Sequence, residues 1–159
     1  MRKRIVNPAP QTRSEPEPGR NWLDLEEIAA VEVTSEDSSF PVEAALLSGN
    51  ESGWRASSPG KQSIRLHFDK PQRLQFIRLH FIEADNVRTQ EFDLSFSNDN
   101  GLTYHEIVRQ QWNFSPDGAK EEIEEYRVDF PLVTDIELEM NPDIADEKAF
   151  ASLMAMRVA

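Results

Sequence analysis

The stretch from Glu91 to Ser115, EFDLSFSNDNGLTYHEIVRQQWNFS, constrains the fold of this chain more than any other. Phe92, Leu94 and Phe96 alternate with Asp93, Ser95 and Ser97, which gives a strand one apolar and one polar face. Asn98-Asp99-Asn100-Gly101 follows. These residue types accept the turn and left-handed backbone that a hairpin reversal requires. Thr103 to Gln111 reads as the return strand, with Tyr104, Ile107 and Val108 as its apolar members. The segment closes on Trp112-Asn113-Phe114-Ser115-Pro116, an aromatic corner that reads as exposed.

The rest of the chain supplies more strands of the same kind. Ala30–Ser35, Ser63–Phe68 and Asp135–Met140 alternate cleanly. Leu74–Ile82 is apolar in both phases, as a central strand is, and Ile123–Phe130 carries Tyr126, Val128 and Phe130. The pentapeptide IRLHF occurs at 64–68 and again at 77–81; one short match is not a solenoid repeat. Ser152–Val158 alternates with Leu153 and Val158 inward if a twist or bulge shifts the phase. Around Leu23, Leu25 and Ile28 the spacing predicts a strand and then one helical turn, and Val42–Leu47 predicts another. Asp69–Gln72, Pro131-Leu132 and Asn141-Pro142-Asp143 read as connections. Gly53–Gly60 reads as a loop holding Trp54, whose ring is expected in the core. Many short strands with polar turns and little helix predict an all-β antiparallel β-sandwich.

At 159 residues the chain suits one domain, with a core that buries about two-thirds of the unfolded surface. Residues 1–21 are rich in Pro and poor in large apolar groups, so they are expected to form a disordered tail before a domain at 22–159. The tail carries five basic and two acidic side chains, for +3; the remainder carries 12 basic and 27 acidic, for −15. A body this acidic repels phosphate backbones and anionic lipid, so neither nucleic acid nor membrane is an expected partner. Cysteine is absent, which excludes disulfides and thiol chemistry. The basic start lacks the apolar run of a secretory signal and no stretch reaches membrane-spanning length, so a cytoplasmic location is expected.

Three segments carry a resemblance: VEAALLSGNESGWRASSPGKQSIRLHFDKPQRLQFIRLHF, then FDLSFSNDNGLTYHEI, then the final ASLMAMRV. In this order they resemble the discoidin, or coagulation factor 5/8 type C, family of galactose-binding-domain-like jelly rolls, which includes many carbohydrate-binding modules. The resemblance covers Leu23 to Val158. It implies an eight-stranded jelly roll and a binding role without catalysis. Many relatives hold a structural calcium at an Asp-Gly-Asn turn closed by a Glu on the last strand. Here the turn reads Ser48-Gly49-Asn50 and the Glu position reads Ala155, with Glu51 the one carboxylate nearby. Calcium prefers six to eight oxygens, carboxylates among them, so no metal or other cofactor is expected.

A carbohydrate ligand needs an apolar ring platform together with donors and acceptors for its hydroxyls. The loop residues that supply these without burying a carboxylate are Arg55, Asn86, Arg88, Trp112 and Asn113. Each has a second role open to it: Trp112 as a cap on the sandwich, the arginines in ion pairs. Trp112 beside Asn113 reads as a platform next to an amide. His67, His80 and His105 lie on strands without zinc-ligand spacing and are expected to be exposed. Glu121-Glu122-Ile123-Glu124-Glu125 reads as a solvated face. No nucleophile elbow, phosphate loop or dinucleotide fingerprint occurs, so no catalytic residues are assigned. The expected function is carbohydrate binding through loops at one end of the sandwich. The alternative is a protein-interaction domain that recruits a basic partner through its acidic surface.

Overall fold

The computed structural model describes residues 21–49 and 52–159. The expected tail therefore lies outside the described residues except for Asn21, as do Asn50 and Glu51. Two single-turn helices, α1 (Leu25–Ile28) and α2 (Glu43–Leu46), accompany eight strands: β1 (Ala29–Val33), β2 (Trp54–Pro59), β3 (Gln62–Ile82), β4 (Arg88–Ser97), β5 (His105–Phe114), β6 (Glu121–Asn141), β7 (Phe150–Leu153) and β8 (Ala155–Val158). All pairings are antiparallel. The fold is the antiparallel β-sandwich that the alternation predicts, in the eight-stranded jelly-roll form that the resemblance implies.

Two strands of 21 residues each, β3 and β6, build the sandwich by crossing it. Their outer portions, Gln62–His67 and Asp135–Met140, pair with each other and continue the sheet β1-β3-β6-β4-β5. Their other portions, Phe76–Ile82 and Glu121–Arg127, pair again, with β8 on the far side of β3. Between them the register shifts three times, across His67, Gln72, Leu74 and Phe76. Pro71 and Pro131 fall in this bend, where their missing N–H groups interrupt the ladder. The sequence reads these points as turns between separate strands; the structure carries each strand through as a bend.

The inner faces meet in one core. Ile64, Leu66, Phe92, Leu94, Ile136 and Leu138 from the larger sheet oppose Ile77, Leu79, Phe81, Met156 and Val158 from the smaller. Phe81 stacks on Phe92 across the gap, with ring centroids 5.3 Å apart. Trp54 is fully buried and its Nε1 donates to the Ser35 carbonyl at 3.0 Å. Its segment is not a loop: β2 pairs with β7 as a separate ribbon. Gly53 permits this approach, because its φ is +74° and a Cβ there would meet the Leu153 carbonyl oxygen at 2.8 Å. The last strand is two strands broken at Met154, and Leu153 and Val158 are both buried, as expected.

The hairpin turns as its residues require. Asn100 has φ 62° and Gly101 φ 84°. Asp99 accepts from the Thr103 backbone N–H at 2.9 Å and from the Ser97 and Thr103 hydroxyls, both at 2.6 Å. Those bonds hold its carboxyl well below the usual carboxylate range, the Ser97 bond most. The return strand begins at His105, two residues later than the sequence suggests, and runs on through Phe114.

The acidic run departs from expectation. Glu122 is 1 % exposed. Alternation along β6 turns Glu122, Glu124 and Tyr126 toward β4 and β5. There Gln90 Nε2 donates to Glu122 at 3.4 Å, Gln110 Nε2 donates to Glu124, and the Tyr126 hydroxyl donates to Gln110 at 3.2 Å. Two histidines are likewise engaged rather than simply exposed. His67 bridges Asp135 and Glu32, and His80 pairs with Glu121 at 2.6 Å.

Candidate functional site

Four chain segments meet at one end of the sandwich around a cleft of about 750 Å³. They are the turn after β1, strand β2, the β3–β4 connection and the β6–β7 connection running into β7. Each is fixed by its own hydrogen bonds. The Asp37 N–H donates to the Arg55 carbonyl at 2.8 Å and the Arg55 N–H to the Phe40 carbonyl at 3.1 Å, so the turn clasps β2 at Arg55. The Arg55 guanidinium then lies over the Phe40 ring, 4.6 Å from its centroid.

Glu83 organises the β3–β4 connection. Its Oε2 accepts from the backbone N–H groups of Asp85 (3.1 Å) and Asn86 (3.2 Å), and its Oε1 accepts from Arg88 Nε at 2.7 Å. Burial pushes the Glu83 carboxyl up, but the bonds from Arg88 and the two backbone donors outweigh it and hold the group below its ordinary value. Arg88 is 5 % exposed. Its Nη1 donates to the Pro142 carbonyl at 2.6 Å and to Gln90 at 3.2 Å, which ties the β3–β4 connection to the end of β6. Its Nη2 is buried without a hydrogen-bond partner. The β6–β7 connection is pinned by the Ile144 N–H on the Thr89 carbonyl (2.9 Å) and by Asp143 and Asp146 accepting from the Ala145 (3.0 Å) and Lys148 (2.9 Å) backbones.

Of the five residues expected at the site, Arg55, Asn86 and Arg88 line this cleft together. Asn86 is exposed on the connection, and Arg88 serves largely as a clamp. Trp112 and Asn113 do not line it. Consecutive strand residues project to opposite faces, so the two cannot form one platform. Trp112 turns inward opposite Gln90 and packs on the core, with its Nε1 buried and unpartnered. Asn113 turns outward and accepts from the Thr89 hydroxyl at 2.6 Å.

The aromatic that sequence reasoning missed is Phe150. It is 52 % exposed and lines the cleft, beside Val87 and Ile82, which also expose apolar surface. Its signal was present: counting back by twos from the inward Leu153 puts Ala151 inside and Phe150 outside.

Among the described residues, the expected calcium position lacks its carboxylates. Ser48 offers no carboxylate, and Ala155 in β8 offers none. Arg157 of β8 instead sends its guanidinium to the carbonyls of Ala45 (2.9 Å) and Leu47 (3.3 Å) at the end of α2. That cation occupies carbonyl oxygens close in sequence to the turn. Among the described residues, no group of three or more His, Asp or Glu side chains is arranged to hold a metal ion.

The described residues thus form a jelly roll with an open polar cleft among the loops at one end. The chain belongs to the F5/8 type C domain family, whose model matches residues 28–136. Solved structures share the fold over most of their length. The family 32 carbohydrate-binding module of Clostridium perfringens NanJ, solved with galactose, is 16% identical, with a TM-score of 0.61 over 86% of this chain and 96% of that one. The family 32 module of AlyQ, solved with 4,5-unsaturated mannuronic acid, is 18% identical, with a TM-score of 0.62 over 88% and 98%. A pectin-binding carbohydrate-binding module is 20% identical, with a TM-score of 0.57 over 82% and 89%. No curated protein matches the sequence.

Proposed function

We propose that residues 22–159 form a non-catalytic carbohydrate-binding module whose ligand sits in the loop-end cleft. The observation that carries this reading is the placement of a half-exposed aromatic, Phe150, in one open cleft with the Arg55 guanidinium and the Asn86 amide. The ring takes the apolar face of a sugar, and the two polar groups take its hydroxyls. Neither Arg55 nor Asn86 has an ion-pair or side-chain hydrogen-bond partner among the described residues, so both keep their bonding capacity for a ligand. The solved neighbours that bind sugars with this fold support the same reading. A glycan array tests it: wild-type protein retains at least one glycan class, and Phe150→Ala loses that signal while keeping its melting temperature. An array with no signal for the wild type contradicts it.

A second reading, docking of a basic protein partner, has its own support. On the outer face of the larger sheet, Asp93, Glu106, Glu137 and Glu139 surround a shallow hollow of about 220 Å³. Protein captured by the wild type and by Phe150→Ala, but lost on Glu139→Lys, favours this second reading.

A further inference from the structure

We infer that the loop-end cleft takes sugars that carry no carboxylate, neutral or amino sugars, and discriminates against uronates. The inference rests on the carbohydrate reading of the cleft and specifies its ligand class. The sugars bound by the solved neighbours include both kinds, galactose in one and 4,5-unsaturated mannuronic acid in another, so the fold leaves the choice open and the side chains must make it.

Two observations decide it. The first is charge. Glu83 and Arg88 cancel each other through their 2.7 Å ion pair. What remains along the cleft is Asp37, Asp85, Asp143 and Asp146 against Arg55 and Lys148, four carboxylates and two cations. None of the four is in an ion pair within the described residues. Asp37, Asp143 and Asp146 accept from backbone N–H groups instead, which orients them without neutralising them. A concave surface of one excess sign concentrates its field where a ligand sits, so an incoming carboxylate is repelled and an ammonium drawn in.

The second observation is the state of Arg88. It is 5 % exposed, lines the cleft, and holds an Nη2 with no hydrogen-bond partner. Its charge is already balanced by Glu83, and its plane is held by Pro142, Gln90 and the Phe114 ring beneath it at 4.8 Å. A guanidinium in that condition, buried and already paired, presents little net positive charge to the cleft. It therefore gives an incoming carboxylate no exposed cation to pair with. A carboxylate would instead meet the aspartates around it.

The test measures binding of methyl β-galactoside, galactosamine and galacturonic acid to the full chain by calorimetry at low and at high salt. Galactosamine and the neutral galactoside should bind more tightly than galacturonic acid, by about tenfold at low salt, and added salt should narrow the gap. The double substitution Asp143→Asn with Asp146→Asn should raise galacturonic acid affinity relative to the galactoside. Galacturonic acid binding as tightly as the galactoside, or a gap indifferent to salt, overturns the inference and leaves the carbohydrate reading standing. Failure of all three sugars to bind overturns the inference, and the glycan array then decides whether the carbohydrate reading stands.

Discussion

At the loop end, Asp37, Asp143 and Asp146 accept from nearby backbone N–H groups and line an open cleft; between β6 and the β4–β5 pair, Glu122 and Glu124 are bound by Gln90 and Gln110, with Glu122 buried and Glu124 half-buried. Both regions are acidic in sequence. In the cleft, the Arg55 and Asn86 side chains keep their hydrogen-bonding capacity. In the seam, nearly every polar group is used on another. Burial, together with the hydrogen bond and charge of Glu124, pushes the Glu122 carboxyl well above the usual carboxylate range. Polar composition alone therefore does not mark a binding site. Unused bonding capacity facing solvent does.

The largest effect that separates the regions comes from their aromatics. Trp112 packs beside the seam, so Trp112→Ala should cost about 3 kcal/mol of stability, read by urea denaturation, with unchanged sugar affinity for the folded fraction. Glu122 comes next. A carboxyl whose folded pKa lies above its unfolded value binds extra protons in the native state, so stability is fully present below the ordinary carboxylate range and falls as pH rises through the raised folded pKa. Glu122→Gln should flatten that slope and gain about 2 kcal/mol above neutrality. His67 adds to the same trend. Its hydrogen bond to Glu32, with help from Asp135, raises its pKa despite burial, so its contribution is complete below its unfolded value and is lost as pH climbs through the folded one. A pH-independent denaturation midpoint in the wild type would remove the seam side of the comparison.

In the cleft, Phe150→Ala should weaken sugar binding by about 1–2 kcal/mol, in the range of other aromatic platforms, with an unmoved melting temperature. The smallest effect concerns metal. Ser48 and Ala155 give calcium no carboxylates, and Arg157 already places a cation on the Ala45 and Leu47 carbonyls. A chelator should therefore leave the melting temperature where it was. A ligand present at 100 times its dissociation constant would add about 2.7 kcal/mol, so a fall of several degrees on chelation, restored by calcium, would show a site that these residues do not describe.

Much of the fold could be read in the sequence because alternation is a physical record of which face is buried. Phe92, Leu94, Ile136 and Leu138 carry it plainly, and each is fully or nearly fully buried. The hairpin was legible for a different reason: few residue types besides Asn and Gly accept the backbone found at Asn100 and Gly101. The bends at Pro71 and Pro131 were not, because a proline with polar neighbours breaks a ladder whether the chain reverses or only changes sheet. Glu122 was hidden by its neighbours, since a run of glutamates lacks the contrast that reveals phase. The cleft was legible in Arg55, Asn86 and Arg88, which share the loop end, but Trp112 and Asn113 were grouped by adjacency along the chain. On a strand, adjacency means opposite faces. Phe150 escaped because the sequence reading starts the last strand at Ser152, so the phase set by Leu153 is not carried back to it.

The most direct test of the central claim, that the loop-end cleft is the ligand site, is a backbone-assigned NMR titration of the full chain with methyl β-galactoside. Perturbed amides should cluster at Arg55, Asn86, Arg88 and Phe150 and spare Asn113 and the seam around Gln110 and Glu122. Perturbations centred on Trp112 and Asn113, or saturable binding that leaves the cleft amides unmoved, would contradict the account.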